Sequence, residues 1–486
     1  MPETISTDLL VLGGGPGGYA AAFLAADRGV QTTLIDAGKK PGGTCLHVGC
    51  IPSKTLLHVA EVIHLAHDAA DFGLQFGEPK VDLARLRARG DKIVDTMATS
   101  LLKGCKDRGI SHIVGRGKFV DSHTITVDGG PRVSFKTCIL AVGSIPATLP
   151  MFDIKSARIM DSTAALRVES VPKSLLVVGG GYIGLELGSV YAALGSKVTV
   201  VEMTPNLLPG VDPDLVRPLH GKLRGRFENI YLNTKVTKVH EPEASAMGLT
   251  VEFEGEASSS PAPLPQGEKA NTAASFEKIL VAVGRKPNTD NLGLDKVGVE
   301  VERGFIKTDL QRRTNVPHIF AVGDCAGEPM LAHKASHEGK LVVEVLTGDR
   351  APSWDIRAMP AVVFTDPEIA WCGLTEADAK RQNRNVKVGV FRWGFSGRAS
   401  TLGRNDGLTK VIVDPATDQI LGVGIVGAGA GELIAEAVVA IETGSTAADL
   451  ALCVHPHPTL SETIGEAAEV LHGLSSHGLT PGKKQV

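Results

Sequence analysis

Cysteine is scarce in this chain, with seven residues in 486. A small and odd number argues against a secreted protein held together by structural disulfides and favours a reducing compartment. The first residues, MPETISTDLLVL, show no basic stretch followed by an apolar one, so we expect no secretory signal. These features predict a cytoplasmic protein, in which a disulfide would more often be catalytic than structural.

Strong charge of one sign and long apolar runs are also missing. The net charge is −4 with both signs interspersed, and no basic stripe indicates a nucleic-acid or membrane-surface partner. No apolar run approaches the length of a membrane span. Hydrophobic residues make up 43% and charged residues 21%, so large buried cores are available, and the length suggests roughly two to four domains.

A repeat relates residues 8–37 to residues 174–203. Each copy has a β-branched, leucine-rich run, a G-x-G-x-x-G turn, a helical pattern rich in small residues and a second β-like run. Each copy ends in an acid, Asp36 or Glu202, 23 positions after its first glycine. The glycines of the two turns are Gly13, Gly15 and Gly18, then Gly179, Gly181 and Gly184.

This spacing is typical of dinucleotide binding. The first glycine permits a tight turn, the second lets backbone approach a pyrophosphate, and the third lets the helix pack on the strand. The helix N-terminus attracts phosphate, and the acid accepts hydrogen bonds from a ribose. One such turn is equally well explained as a loop without a ligand, but two copies in the same context predict two dinucleotide sites. Glu202 has no arginine beside it, which favours NAD over NADP.

The patterns along the chain predict an α/β fold with two Rossmann-like domains and a C-terminal α+β domain. We place the domains at 1–150, 151–279, 280–349 and 350–486. The low-complexity stretch 254–275 predicts a flexible surface hairpin or loop, whose role the sequence does not indicate.

The segment GGTCLHVGCIPSK, residues 42–54, contains Cys45 and Cys50. A metal site would need further ligands at short spacing, and none follow. Two inert buried thiols are possible, because free cysteine is often core. A redox disulfide is favoured because a helix start and Lys54 would stabilise a thiolate. It would also require a distorted helix start, since positions five apart lie about 140° apart around a helix.

Near the C-terminus, HPHPTLSE supplies His455, His457 and Glu462. Two histidines between prolines are more often a surface turn. A histidine followed by a carboxylate also suits a general base whose tautomer the carboxylate fixes. This element favours the redox interpretation of the cysteine pair.

Six segments in order resemble the disulfide-containing pyridine nucleotide oxidoreductases and, within that family, the bacterial dihydrolipoamide dehydrogenases. The segments, which span essentially the whole chain, are LGGGPGGYAAAF, GGTCLHVGCIPSKTLLH, VVGGGYIGLELGSVYAALGS, VAVGRKPNT, TNVPHIFAVGDCAGEPMLAHKASHEG and HPHPTLSE. The resemblance implies oxidation of protein-bound dihydrolipoamide with reduction of NAD+. A glutathione reductase-like enzyme with another disulfide substrate is the alternative.

The resemblance also implies roles for individual residues. Cys45 would meet substrate, Cys50 would face the flavin, and His457, oriented by Glu462, would be the base. Lys54 would lie beside the flavin and pair with Glu186. The remaining FAD contacts would be Gly13, Gly15, Gly18, Asp36, Gly117, Asp324 and Ala332. The NAD site would contain Gly181, Gly184, Glu202, Val236 and Gly284.

In terms of organisation, the resemblance implies an FAD-binding domain (1–150), an NAD-binding domain (151–279), a central domain (280–349) and a dimerisation domain (350–486). His457 would complete the site of the other subunit, so the enzyme would be a homodimer. Its partners would be lipoyl domains and the core subunit of a 2-oxo acid dehydrogenase complex, which one the sequence does not specify. No metal is implied.

Four positions depart from the usual family pattern. His47 stands where an amide is common, Asp36 replaces a glutamate, AVGS at 141–144 replaces ATGS, and Tyr182 is commoner in glutathione reductase-like relatives. These departures leave the redox chemistry intact and concern cofactor affinity and access of the nicotinamide. The sequence offers no physical account of His47.

Overall fold

A computed structural model describes residues 4–240, 248–256, 269–348 and 352–477. Residues 4–140 contain a sheet of order β3-β2-β1-β6-β5-β4, in which β1 runs parallel to β2 and β6. The strands are β1 (Thr4–Leu12), β2 (Thr32–Asp36), β3 (Ser111–Val114), β4 (Gly117–Asp121), β5 (Thr124–Val127) and β6 (Arg132–Leu140). The helices are α1 (Pro16–Asp27), α2 (Gly43–Val48), α3 (Cys50–Asp68) and α4 (Leu83–Asp107).

The second copy of the repeat forms a parallel sheet of order β11-β10-β9-β15-β8, beside an antiparallel sheet β12-β13-β14. Its strands follow β7 (Ser144–Pro146) and are β8 (Ile159–Met160), β9 (Ser174–Val178), β10 (Lys197–Val201), β11 (Asn229–Tyr231), β12 (Thr234–His240), β13 (Leu249–Glu256), β14 (Lys269–Phe276) and β15 (Lys278–Val281). Its helices are α5 (Ser162–Ala165), α6 (Tyr182–Ala193) and α7 (Pro213–Arg226).

The predicted loop 254–275 overlaps the ends of β13 and β14, which pair antiparallel from Leu249 opposite Phe276 to Glu256 opposite Lys269. These arms agree with the hairpin form of the prediction. Residues 257–268 lie outside the described residues.

Residues 285–347 return the chain to the first sheet. They comprise β16 (Arg285–Pro287), β17 (Val301–Glu302), β18 (Phe305–Ile306), β19 (Ile319–Ala321) and α8 (Ala332–Thr347). β16 pairs with β7, and β19 lies parallel to β6. A Cβ on Gly339 of α8 would lie 2.3 Å from the carbonyl oxygen of Gly17 in α1. Glycine therefore allows the two helices to cross closely.

The C-terminal part is an antiparallel sheet of order β20-β21-β24-β23-β22 with helices packed against it. The strands are β20 (Ala361–Val363), β21 (Glu368–Gly373), β22 (Lys387–Arg392), β23 (Leu408–Val413) and β24 (Ile420–Gly427). The helices are α9 (Glu376–Arg381), α10 (Gly397–Thr401), α11 (Ala430–Glu442), α12 (Ala447–Leu452) and α13 (Glu462–His472). In the described part of the chain, every helix is too short or too polar to cross a membrane.

The fold class predicted from the sequence is confirmed: two Rossmann-like units and a C-terminal α+β unit. One hydrophobic cluster joins Leu56 of α3 with Leu185 of α6 and Val363 of β20. The units therefore pack on a shared core. The predicted domain boundaries stay predictions.

Two ionic clusters join α7 to the C-terminal unit. Buried Lys410 contacts Asp212 and Asp214 at 2.7 Å and Glu376 at 2.8 Å. Burial disfavours the ammonium, but the three carboxylates outweigh it and raise the pKa of Lys410. The opposite arrangement surrounds Asp366, where burial opposes the charge but neighbouring cations lower its pKa to about 2. Those cations are Arg404, Lys222 and Arg226.

We expect Lys410→Met to lower the free energy of unfolding by about 3 kcal/mol, because it leaves the buried Asp212 carboxylate, with the more exposed Asp214 and Glu376 beside it, without a counter-charge. Urea unfolding followed by circular dichroism measures the change. Lys103→Met is the matched control, since its i,i+4 partner Asp107 is exposed and such pairs contribute little. Equal losses in the two variants would contradict the importance assigned to the buried cluster.

Candidate active site

The first glycine turn is set by close backbone contacts. Gly13 has φ +108°, and a Cβ there would lie 2.3 Å from the carbonyl oxygen of Ala141. A Cβ on Gly18 would lie 1.8 Å from the carbonyl oxygen of Gly13. Gly15 is the N-cap of α1, so its peptide stands where the helix presents its free N–H groups.

Asp36 ends β2 beside this turn. Its Oδ1 accepts a hydrogen bond of 2.9 Å from the Gly38 N–H. Its Oδ2 is buried and has no well-aligned partner among the described residues. Burial raises the pKa of Asp36, against the lowering effect of neighbouring N–H groups. A buried carboxylate oxygen that lacks a donor suits a ligand hydroxyl.

The second turn repeats the first. Gly179 has φ +108°, and a Cβ on Gly184 would lie 2.2 Å from its carbonyl oxygen. Glu202 is buried, but here both carboxylate oxygens have donors: the Gly180 N–H at 2.6 Å and the Thr204 N–H at 2.8 Å. The two acids therefore occupy equivalent places, but both oxygens of Glu202 have well-aligned donors, whereas only Oδ1 of Asp36 has one among the described residues.

A cavity of about 570 Å³ opens from the first turn toward the second unit. It is lined by ten of the residues expected at the site, namely Gly13, Gly15, Asp36, Cys45, Cys50, Lys54, Gly117, Glu186, Asp324 and Ala332. The other expected residues do not line it: Gly18, Gly181, Gly184, Glu202, Val236, Gly284, His457 and Glu462. Gly18 is buried within α1, and Gly181 and Gly184 belong to the second glycine turn at the start of α6.

Val236 and Gly284 lie elsewhere in the second unit. Val236 is a buried residue of β12. Gly284 follows β15 with φ +115°, a backbone conformation that favours glycine. A Cβ there would have nothing within 4 Å among the described atoms.

The cysteine pair sits at a break between two helices. Cys45 lies within α2, and Cys50 begins α3 after Gly49, which has φ −146° and ψ −114°. A Cβ on Gly49 would lie 2.8 Å from the Thr44 carbonyl oxygen, so glycine permits the break. This interruption supplies the distortion that a disulfide at this spacing requires.

Both cysteines are thiols, and they hydrogen-bond to each other. The bond from Cys45 lowers the pKa of Cys50 to about 7, with Lys54 contributing, although burial and Glu186 oppose the shift. The same bond, burial and the charge on Cys50 raise the pKa of Cys45. These shifts favour the thiolate at Cys50, which shares α3 with the Lys54 ammonium.

Lys54 and Glu186 connect three parts of the chain. The Lys54 ammonium donates to Glu186 Oε2 at 2.8 Å, and Glu186 is buried in α6. Glu186 Oε1 accepts from the Phe364 N–H at 3.0 Å, just beyond β20. The pair thus fixes α3, α6 and the C-terminal sheet together.

Asp324 lines the cavity within a network that the sequence did not indicate. Its Oδ2 accepts a 2.5 Å hydrogen bond from the Ser144 hydroxyl. Arg285 donates to the same hydroxyl and to the Ser144 carbonyl, both at 2.7 Å. Ser144, Arg285 and Tyr182 all line the cavity. Ser144 ends the AVGS stretch, and Arg285 lies within the segment VAVGRKPNT. The resemblance of these two stretches to the family was the one signal in the sequence that could have indicated the network.

His457 and Glu462 form a pair away from the cysteines. His457 Nδ1 lies 2.8 Å from Glu462 Oε1, and the Thr459 N–H donates to Oε2 at 2.7 Å. Burial opposes ionisation of Glu462, but these hydrogen bonds lower its pKa. His457 is 77% exposed. His455 has a different partner, Glu436, at 2.7 Å.

His47 has a structural contact. Its Nε2 lies 3.1 Å from the Lys40 carbonyl oxygen and 3.2 Å from that of Pro41. The ring nitrogen therefore donates to the loop that leads into α2. His47 thus has a structural role, which the sequence did not reveal: it holds the loop that precedes α2.

The family described as pyridine nucleotide-disulphide oxidoreductase matches residues 7–339, and its dimerisation domain matches residues 359–468. The chain belongs to this family. Its members use FAD and NAD(H). The match extends over both Rossmann-like units and the C-terminal sheet.

Relatives named dihydrolipoyl dehydrogenase align over nearly the whole chain. That of Vibrio cholerae is 45% identical over 97% of this chain and 97% of its own. That of Haemophilus influenzae is 44% identical over 97% and 96%, and that of Thermus scotoductus 44% over 97% and 98%.

Two solved structures share the fold. LpdA from Mycobacterium tuberculosis superposes with a TM-score of 0.84 at 27% identity, covering 96% of this chain and 99% of that one. The HOCl-induced flavoprotein disulfide reductase RclA from Escherichia coli has a TM-score of 0.83 at 26% identity, covering 95% and 99%.

The residues around the first turn fit a bound FAD. Asp36 Oδ2 is a buried acceptor that has no well-aligned donor among the residues that the structure describes. Gly15 leaves open space at the start of α1, where a Cβ would meet only the Gly43 Cα at 3.8 Å. The cavity continues to the cysteine pair and to the start of α8. Its size also lies within the range of cofactor pockets.

The second turn yields a test with matched substitutions. Gly184→Ala places a Cβ against backbone, so we expect a stability loss of about 2 kcal/mol. Gly181→Ala meets nothing within 4 Å at φ −78°, so stability should stay unchanged. Because a methyl there would block a pyrophosphate, the KM for NAD+ should rise about tenfold. Thermal unfolding and steady-state kinetics measure both effects, and an unchanged KM would argue against NAD at this turn.

Proposed function

We propose that this chain is an NAD-dependent dihydrolipoyl dehydrogenase, a flavoprotein that oxidises protein-bound dihydrolipoamide to lipoamide and reduces NAD+. The observation that carries the proposal is the cysteine pair at the end of a dinucleotide-sized cavity, with Cys50 selected as the thiolate. The similarity to dihydrolipoyl dehydrogenases over 97% of the chain supports the same activity.

Each nucleotide is assigned to one turn. FAD would be held by the first turn and the cavity, through Gly13, Gly15, Gly18, Asp36, Lys54, Gly117, Asp324 and Ala332. NAD would be held by the second turn, through Gly181, Gly184, Glu202, Val236 and Gly284, while Glu186 would pair with Lys54 beside the flavin. Glu202 accepts two N–H groups and keeps lone pairs for a ribose. Its charge disfavours a 2′-phosphate.

Disulfide exchange occurs at the cysteine pair. A substrate thiolate attacks Cys45 of the Cys45–Cys50 disulfide, and the sulfur–sulfur bond breaks to release Cys50 as a thiolate. The second substrate thiol, as its thiolate, then displaces Cys45 and closes the lipoamide ring. The low pKa of Cys50 makes it the better leaving group. FAD, when bound, carries the electron pair from the resulting dithiol to NAD+.

The base in this scheme is His457. Its Nδ1 is held by Glu462, which leaves Nε2 to accept a proton from a substrate thiol. His457 is exposed and does not line the cysteine cavity of its own chain. We therefore assign it to the site of a second copy, which makes the enzyme a homodimer. The dimerisation domain at residues 359–468 supports this assignment.

The partners would be lipoyl domains and the core subunit of a 2-oxo acid dehydrogenase complex, in the cytoplasm. The names of the relatives support this placement. The small number of cysteines fits a reducing compartment.

Turnover of the purified holoenzyme tests the function. We expect reduction of NAD+ by dihydrolipoamide, because Glu202 suits a free ribose and Cys45 is available to exchange. Oxidation of NADPH by glutathione disulfide should be slower by at least two orders of magnitude, about 2.7 kcal/mol in transition-state free energy. The opposite preference would establish the glutathione reductase-like alternative.

His457→Gln should lower turnover with dihydrolipoamide by about 10²–10⁴-fold, because glutamine cannot accept the proton. The FAD content should remain normal, measured by its absorbance. His455→Gln is the matched control, since it removes a nearby imidazole that pairs with Glu436. Near-normal turnover of His457→Gln would reject its assignment as the base.

A further inference from the structure

Phe364 lies outside the cavity, yet it contacts the ion pair beside the cysteines. The residue is half-buried and follows β20 in the hairpin that leads to β21. The Lys54 ammonium sits over the Phe364 ring, 4.2 Å from its centroid. A cation in this position is attracted by the negative face of the ring.

The Phe364 backbone binds the other partner of the same pair. Its N–H donates to Glu186 Oε1 at 3.0 Å, while Glu186 Oε2 accepts from Lys54 at 2.8 Å. One residue of the C-terminal unit therefore holds both members of the pair, the cation by its ring and the anion by its backbone. Glu186 is 5% exposed at its side chain, which strengthens these contacts by excluding water.

The position of the ammonium matters for Cys50. Lys54 follows Cys50 by four positions on α3, so both side chains lie on one face of the helix. The Lys54 ammonium lowers the pKa of Cys50, and the Glu186 carboxylate raises it. The groups in the described chain that face Cys50 are Cys45 from α2, Lys54 from α3, and Glu186 and Tyr182 from α6.

We propose that Phe364 is a positioning residue for the thiol chemistry: its ring holds the Lys54 ammonium in place beside Cys50 while that ammonium remains paired with Glu186. The C-terminal unit then contributes to the redox site within one chain, in addition to any contribution across a dimer. This inference rests on the proposed redox role of Cys50.

Phe364→Leu tests the proposal, because it removes the ring and retains the backbone N–H that holds Glu186. The holoenzyme also carries Cys45→Ser, so that Cys50 is the one thiol of the pair. Its thiolate is titrated against pH by the long-wavelength charge-transfer absorbance with oxidised flavin. We expect the pKa of Cys50 to rise by about one pH unit, equivalent to about 1.4 kcal/mol.

Two further variants separate positioning from loosening of the fold. Phe364→Tyr keeps the ring face and should titrate like the parent. Phe391→Leu, a buried core position of β22 that belongs to a different cluster, should lower the thermal midpoint without moving the pKa. If Phe364→Leu does not fold, Phe364→Met takes its place.

An unchanged pKa in the ring-less variant would overturn the proposal, and so would an equal rise in Phe391→Leu. The proposed function is judged separately, by turnover of the unmodified enzyme with dihydrolipoamide and NAD+. Full turnover with no change in pKa would reject the role of Phe364 alone. A shifted pKa without that turnover would reject the substrate assignment alone.

Discussion

The ion pair between Lys54 and Glu186 is the contact on which the rest of the site depends. It joins the helix that begins at Cys50 to the helix that begins at the second glycine turn. Through Phe364 it also reaches the C-terminal sheet. A partly buried pair of this kind contributes little net stability, because desolvation offsets attraction. Its value here is geometric, since it sets the distance between a thiolate and the unit that would carry the nicotinamide.

Two further ionic clusters join α7 to the C-terminal unit. One has a cation among carboxylates, and the other has a carboxylate among cations. Lys410 lies among carboxylates, and Asp366 lies among cations. Breaking either cluster would leave charges of one sign together, which is costly in a partly buried interface. A hydrophobic contact would tolerate sliding, because it is non-directional. The two clusters therefore fix the orientation of α7 against the C-terminal sheet, and with it the second nucleotide unit.

The sequence predicted those parts of the site whose constraints are local. The glycines follow from backbone contacts within one turn, such as Gly18 against Gly13, and their spacing leaves a pattern. The cysteine pair and Lys54 lie within ten positions of one another. Ser144, Arg285 and Phe364 were missed as contacts because their partners lie more than 100 positions away and, unlike the equally distant Lys54–Glu186 pair, the resemblance did not imply them. A serine or a phenylalanine does not by its residue type indicate a binding site, whereas the acids Asp36 and Glu202, placed 23 positions after a glycine, do.

Asp36 and Glu202 occupy the same place in the two repeats, but their hydrogen bonds differ. Both acids end equivalent strands, but Glu202 is satisfied by the N–H groups of Gly180 and Thr204. Asp36 Oδ2 is buried and has no well-aligned donor in the described part of the chain, although the Gly14 N–H also acts on this carboxylate, and burial raises the pKa of Asp36. An unsatisfied buried acceptor costs about 1–3 kcal/mol until a ligand hydroxyl meets it. A nucleotide hydroxyl that donates to Asp36 Oδ2 would recover this cost, which would favour tight binding at the first turn. Both carboxylate oxygens of Glu202 already accept hydrogen bonds from the protein, so a nucleotide at the second turn would recover no comparable cost.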